Sequence, residues 1–338
     1  MQHFFSIIIV TWNGLHHLKE FLPSVLDTEY PNFEIIIADN ASTDGTKEWI
    51  KQHAPGCKVV TFDNNHGYCG GNNRAVPYAK GDILLFLNND VRVDPGWLHP
   101  LNDSLQDRDV GIVQPKMLSH VRPTHFEYAG AAGGMIDWLG YPFCRGRLFE
   151  HVEEDTGQYD DETSIFWASG AALAIRKDLF IKLEGFNEDF EFHMEEIDLC
   201  WRAWHCGQTV RYQPDSVVYH LGGGSLPMGS PRKVYYNYRN SLLMLSVNLQ
   251  QWVAPKIFLR LCLDGIAGIR SLLQFKPRET FAIIRAHFGF YRRLMSALNK
   301  RSKLKAMQEY SSDSDAPMYK KLVIFEAFLK GKSKYSEL

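Results

Sequence analysis

Phe4-Phe-Ser-Ile-Ile-Ile-Val10 runs straight into Thr11-Trp12-Asn13-Gly14, an unbroken apolar stretch that stops in small and polar residues. The same design recurs at Phe33-Glu-Ile-Ile-Ile-Ala38 before Asp39-Asn40, at residues 58–62 before Asn64-Asn65-His66-Gly67, and at residues 82–87 before Asn88-Asn89-Asp90. Apolar runs without polar alternation predict strands buried on both faces. Between them the spacing predicts helices over 15–28 (Leu18, Phe21, Leu22, Val25), 43–53 (opened by Ser42 or Thr43) and 71–79. Strands alternating with helices mean a doubly wound α/β domain with a mostly parallel sheet covered on both sides.

Working outward, the pattern becomes mixed after Gly96, with short strands and loops over 110–117 and 127–134. An acidic run over 150–163 predicts an exposed loop. Order resumes with a strand over 171–175, helices over 176–183 and 195–206, and a strand over 217–220 that enters Gly222-Gly223-Gly224-Ser225. From Lys233 onward the chain reads as helical, with a linker over 310–317. The 338 residues, 45% hydrophobic, suffice for one large domain and an appendage. A net charge of −2 gives no reason to expect nucleic acid as a partner. The six cysteines form no Cys-x-x-Cys pair and suit a reducing compartment. No secretory signal and no membrane-spanning run is expected, because 257–275 is interrupted by Arg260, Asp264 and Arg270.

Ligands of open parallel sheets bind beyond the carboxyl ends of the strands. One polar cluster there is an ordinary turn; four at successive strand ends describe a pocket floor. Taken in order, Ser6-Ile-Ile-Ile-Val-Thr-Trp-Asn-Gly14, Ala38-Asp-Asn-Ala-Ser-Thr-Asp-Gly45, Asn64-Asn-His-Gly-Tyr-Cys-Gly-Gly-Asn-Asn73, Leu87-Asn-Asn-Asp-Val91 and Glu195-Glu-Ile-Asp-Leu-Cys-Trp-Arg202 resemble glycosyltransferase family 2. The likeness is to its rhamnosyltransferase-like branch that builds bacterial surface polysaccharides. It spans residues 4 to about 225 and implies a GT-A fold, a nucleotide-sugar donor and inversion at the anomeric carbon. On this basis 1–230 is the catalytic domain, with a nucleotide-sugar half over about 1–95 and an acceptor half over about 96–230. Residues 231–338 are then a helical C-terminal region.

Asp39, ending the second strand, is placed to accept from a base N–H or a ribose hydroxyl; the alternative is a helix cap. The resemblance adds Thr11, Asn13, Asn65, Gly70, Asn73 and Asn89 to the donor side. The family pattern Asp-x-Asp stands here as Asn88-Asn89-Asp90. Asp90 is therefore expected to contact Mg²⁺ or Mn²⁺, with diphosphate and water completing the oxygen ligands. The resemblance puts a metal-binding histidine at His220. An inverting transfer needs a carboxylate to take the acceptor proton; the motif points to Glu196, with Glu195 second. Trp167 and Gly170 are assigned to the sugar and acceptor pocket, Trp167 by stacking or else by packing. Asp198 and Arg202, four apart, join that pocket or simply pair.

Over 250–310, basic residues alternate with apolar ones at helical spacing. That composition suits an anionic membrane surface, or else a helical subdomain that packs on the core or forms a homodimer. The expected partners are a nucleotide sugar and a glycan or lipid-linked acceptor. The expected location is cytoplasmic, peripheral on the inner face of the cell membrane. Processive synthesis is not expected, since no Gln-x-x-Arg-Trp motif occurs. A sugar nucleotidyltransferase would want a cation in the loop after the first strand, and Asn13-Gly14-Leu15 offers none. A non-catalytic nucleotide-binding protein is the remaining alternative; it requires Asp90, His220 and the glutamate pair to lie far apart.

Overall fold

The computed structural model describes residues 2–222, 230–307, 311 and 315–338. Its first half follows the expected alternation: β1 (Phe5–Thr11), α1 (Leu15–Leu26), β2 (Phe33–Asp39), α2 (Thr46–His53), β3 (Lys58–Thr61), α3 (Gly67–Ala75) and β4 (Ile83–Leu87). Then come β5 (Val91–Val93), α4 (Leu98–Ser104) and the ten-residue β6 (Val110–Ser119). Short strands β7 (Gly134–Asp137), β8 (Pro142–Cys144), β9 (Arg147–Leu148), β10 (His151–Val152) and β11 (Thr163–Ser164) precede β12 (Ala172–Arg176). The chain continues through α5 (Lys177–Lys182), α6 (Glu195–His205) and β13 (Thr209–His220). The C-terminal part holds α7 (Pro231–Asn248), α8 (Val253–Leu273), α9 (Pro277–Lys305), β14 (Met318–Tyr319) and α10 (Val323–Phe328).

The main sheet has the order β11-β13-β6-β12-β4-β1-β2-β3, with β5 paired to β13. β1 pairs in parallel with β2 and β4, and β2 with β3. β12 is antiparallel to both β4 and β6. Alternate side chains of the apolar strands feed two cores. Ile7 and Ile9 join Leu18, Leu22, Ile50, Leu98 and Leu101 on one face. Ile8 joins Cys69, Phe180, Ile197, Leu199 and Leu242 on the other.

Three local expectations shift. α3 starts at Gly67 rather than 71, because the Asn65 side chain accepts from the Gly67 N–H at 2.8 Å and Gly67 takes φ +67°. α2 starts at Thr46, with Asp44 rather than Ser42 or Thr43 accepting from its first N–H. The acidic run is tied down more than an exposed loop would be. Asp155 and Asp160 meet Lys116, whose side chain is only 8% exposed, and Asp161 meets Arg145.

The region after 230 is not helix alone. β14 pairs in parallel with β7 and completes a second sheet of order β10-β9-β8-β7-β14. Part of the expected linker, and Gly223, Gly224 and Ser225 of the glycine run, lie outside the described residues. No described helix is long and apolar enough to cross a membrane.

Candidate active site

The four strand-end clusters meet. Asn13 Oδ1 accepts from the Thr43 N–H at 2.8 Å, and the Asn13 N–H donates to Ser42 Oγ at 2.9 Å, joining the ends of β1 and β2. Asn40 Nδ2 donates to the Gly67 carbonyl at 3.0 Å, joining β2 to the start of α3. Asn89 Nδ2 donates to Thr11 Oγ1 at 3.0 Å, bringing the end of β4 to that of β1. This closeness depends on Gly14, since a Cβ there would lie 2.4 Å from Asn89 Nδ2 and 2.5 Å from Thr11 Oγ1. Asp39 is buried at the floor, with Oδ1 accepting from the Ser42 N–H at 3.0 Å. That bond fastens the loop after β2 and not the start of α2, which Asp44 serves, so Asp39 is not the helix cap of the alternative reading. Gly70 stands at the wall where a Cβ would meet the Arg74 guanidinium at 2.7 Å.

Asp90 and His220, 130 positions apart in sequence, come together through strand pairing. β5 begins just after Asp90 and runs antiparallel to the end of β13, with His220 opposite Val91. A register shift in β13 between Gln213 and Val217 adjusts where that end arrives. The Leu221 N–H donates to the Asp90 carbonyl at 3.0 Å, which closes the junction. His220 Nε2 lies 3.2 Å from Asp90 Oδ1. Its Nδ1 lies 3.3 Å from Glu127 Oε1, close enough for an ion pair but without hydrogen-bond geometry. Burial alone would lower the imidazole pKa; the Glu127 and Asp90 carboxylates overcome it and hold the ring charged, with a pKa of about 10.

Glu127 was invisible as a site residue in the sequence, since it carries no motif and sits in an irregular stretch. Its approach uses Gly222, at φ +68°, where a Cβ would lie 3.0 Å from Glu127 Oε1. Among the described residues no group of three or more His, Cys, Asp or Glu forms a complete metal site. The Asp90–His220 pair supplies one carboxylate and, once a cation displaces the Nε2 proton, one imidazole. That donor set fits a divalent cation completed by phosphate oxygens, and Glu127 stands where a histidine ligand's other nitrogen finds its partner.

Glu195 and Glu196 open α6, preceded by Glu191, His193 and Met194 at φ +64°, +64° and +74°. Such backbone persists only where its surroundings impose it. Here Asn240 of α7 donates to the carbonyls of Phe190, Phe192 and His193, and Arg239 to those of Asp189 and Phe190. Neither clamp residue was singled out from the sequence. Glu195 is buried and Glu196 half-buried, and each has one carboxylate oxygen without a hydrogen-bond partner. Burial pushes both carboxyls above the usual range, Glu195 further through the neighbouring Glu196 charge. Gly170 lies against Glu196, where a Cβ would be 3.8 Å from the Glu196 Cβ, and its carbonyl accepts from the Tyr68 hydroxyl at 2.7 Å.

Four expected pocket residues turn out to be engaged elsewhere. Asp198 is fully buried and accepts from Arg202 Nε at 2.9 Å and Asn248 Nδ2 at 2.7 Å. Arg202 also donates to the carbonyls of Leu183 and Gly185, so the pair binds α6 to its neighbours rather than facing a ligand. Trp167 is 4% exposed, packs on Gly134 and donates to the Met135 carbonyl at 2.9 Å, which is the packing alternative. Asn73 exchanges hydrogen bonds with the Phe186 backbone at 2.8 and 2.9 Å.

Residues 6–183 match the family described as Glycosyl transferase family 2. O-antigen biosynthesis protein RfbC of Myxococcus xanthus is 32% identical over 202 residues, which cover 57% of this chain but only 15% of that protein. N-acetylglucosaminyl-diphospho-decaprenol L-rhamnosyltransferase of Mycobacterium tuberculosis is 27% identical over 306 residues, covering 82% of this chain and 94% of its own. In fold, the chain is similar to GalNAc-T7, solved with UDP, GalNAc and Mn²⁺ (TM-score 0.59, 17% identity, 87% of this chain and 56% of that one). It is also similar to S. aureus TarS with UDP-GlcNAc (TM-score 0.55, 15% identity, 94% of this chain and 99% of that one).

Proposed function

This chain belongs to glycosyl transferase family 2, and from that premise we propose that it moves one sugar from a nucleotide diphosphate to an acceptor hydroxyl, with inversion. The observation that carries the reading is the Glu195–Glu196 pair, each with a buried carboxylate oxygen lacking a hydrogen-bond partner and both held by a strained segment at the mouth of α6. Glu196, the more accessible of the two, takes the acceptor proton as the acceptor oxygen bonds to the anomeric carbon. The bond from that carbon to the diphosphate oxygen breaks on the opposite side, and the nucleotide diphosphate leaves with its electron pair. Asp39 and the strand-end loops hold the nucleoside.

Asp90 and His220 would hold Mg²⁺ or Mn²⁺ there. The cation, when bound, offsets charge on the donor diphosphate and on the leaving nucleotide. A screen of UDP-, GDP- and dTDP-sugars with either metal tests the reading. Donor turnover is expected in one series, abolished in Asp90→Ala; full activity in that variant would remove the metal assignment.

The acceptor belongs at a lipid surface. The outer face of α9 exposes Phe281, Ile284, Phe288, Tyr291, Met295 and Leu298, and that of α8 exposes Leu259, Ile266, Ile269 and Leu273. The two acidic residues of these helices are turned from that face: Asp264 is buried against Arg260, and Glu279 meets Lys276 and Ser271. A second copy would oppose apolar-basic with apolar-basic, whereas anionic lipid complements it. The charge of this face therefore favours peripheral attachment at the inner leaflet over a homodimer.

A further inference from the structure

A groove of about 540 Å³ lies between the start of α7 and the first turns of α9, and the transfer chemistry makes no use of it. Arg232, Arg278 and Arg285 line it, with Tyr235, Tyr236 and Phe281, and no carboxylate does. The neighbouring Arg239 and Arg293 are both committed to Glu191. Among the described residues no ion pair engages the three groove arginines. Arg232 lies over the Phe192 and Tyr236 rings and Arg285 over the Tyr235 ring. Stacking orients a guanidinium while leaving N–H groups at its edge for a bidentate acceptor such as phosphate.

The two sides of the groove are chemically different. On one side the Tyr236 hydroxyl donates to Glu191 at 2.6 Å, and the Tyr236 ring packs on Phe192 at 5.7 Å. These are the residues that run into Glu195 and Glu196. On the other side, Phe281 begins the exposed apolar stripe of α9. The cationic groove thus adjoins the apolar track on one side and, on the other, the segment that leads through Glu191 and Phe192 into Glu195 and Glu196.

We propose that Arg232, Arg278 and Arg285 bind the diphosphate of a lipid-anchored acceptor, whose chain lies on the α9 stripe and whose sugar reaches toward Glu196. The proposal rests on the transfer reading for the acceptor's role, but its test reads binding without turnover. The probes are farnesyl diphosphate, farnesol and inorganic pyrophosphate, titrated calorimetrically against the full chain in EDTA. Farnesyl diphosphate should bind more than about tenfold tighter than either fragment, since it engages both groove and stripe. The triple variant Arg232→Gln, Arg278→Gln, Arg285→Gln should weaken it by about tenfold or more and leave farnesol unchanged.

Equal affinity in the variant overturns the proposal, including the case in which the probe occupies the nucleotide site. Loss of phosphatidylglycerol-vesicle binding with farnesyl diphosphate affinity intact also overturns it, because the arginines then serve bulk lipid phosphate. A chain that binds the probe through these arginines yet turns over no nucleotide sugar refutes the transfer reading and leaves the groove assignment standing.

Discussion

Glu195 and Glu196 share a helix start but not an environment, and the difference sets two pH effects. Glu196, half-buried beside Gly170, needs to be ionised to accept a proton, and burial raises its pKa. The acid limb of kcat should therefore fall above the usual carboxylate range. Glu196→Gln should keep donor binding by calorimetry and lose transfer; an unchanged kcat removes it as the base. Glu195 is the buried partner, and its pKa is raised by burial and further by the Glu196 charge. It stays protonated in the folded chain where an unfolded glutamate (pKa ~4.3) has ionised, so the folded state loses stability as pH rises. Glu195→Gln lifts that penalty: Tm should increase by a few degrees at pH 8, with the gain shrinking toward pH 4. Gly14→Ala should impair donor turnover severely, because its methyl group takes the space in which Asn89 reaches Thr11.

Among the elements, β13 shows what sequence does and does not disclose. Its last four residues read as a strand, and His220 was placed by family resemblance. Its start at Thr209, and the register shift after Gln213, depend on pairing with β6 that no local pattern reports. The first four parallel strands were legible because residues buried on both faces leave continuous apolar runs. Glu127 was not, because its importance comes from a turn that folds back under His220. Glu127→Gln should weaken Mn²⁺ binding by roughly 10–100-fold, as loss of a histidine ligand's outer partner does. Competition of Mn²⁺ binding by electron paramagnetic resonance measures this directly; unchanged affinity would show that Glu127 does not orient the ring. The Asp198–Arg202 pair and Trp167 carry the opposite lesson. Polar or aromatic residues beside a motif can be wholly used in fastening one element to the next.

For the whole molecule, lipid attachment cannot be tested by cutting the chain after Gln250. α9 packs along α7, Arg260 donates to the Leu139 carbonyl, and β14 completes the second sheet, so truncation would open the core. Charge placed on the outer face leaves these contacts alone. Ile266→Glu with Phe288→Glu should abolish cosedimentation with anionic vesicles while Tm stays within a few degrees. Vesicle binding equal to that of the parent chain sinks the attachment. The basic and apolar composition of this region was plain in the sequence, but which residues face outward was not, because α9 is apolar on its inner side as well and α8 buries Arg260, Asp264 and Gly268.

The second sheet also has a consequence in time. Asp137 is fully buried, and its carboxylate accepts from the N–H groups of Leu139, Tyr141 and Val323, the last of these 186 residues downstream. At ribosomal speeds of roughly 5–20 residues per second, Asp137 and the open edge of β7 wait about 10–40 s for their partners. An unpaired strand edge left waiting is an invitation to intermolecular pairing. The nascent chain is thus expected to depend on chaperones until residues 318–323 emerge, and to gain protease resistance in one step once they do.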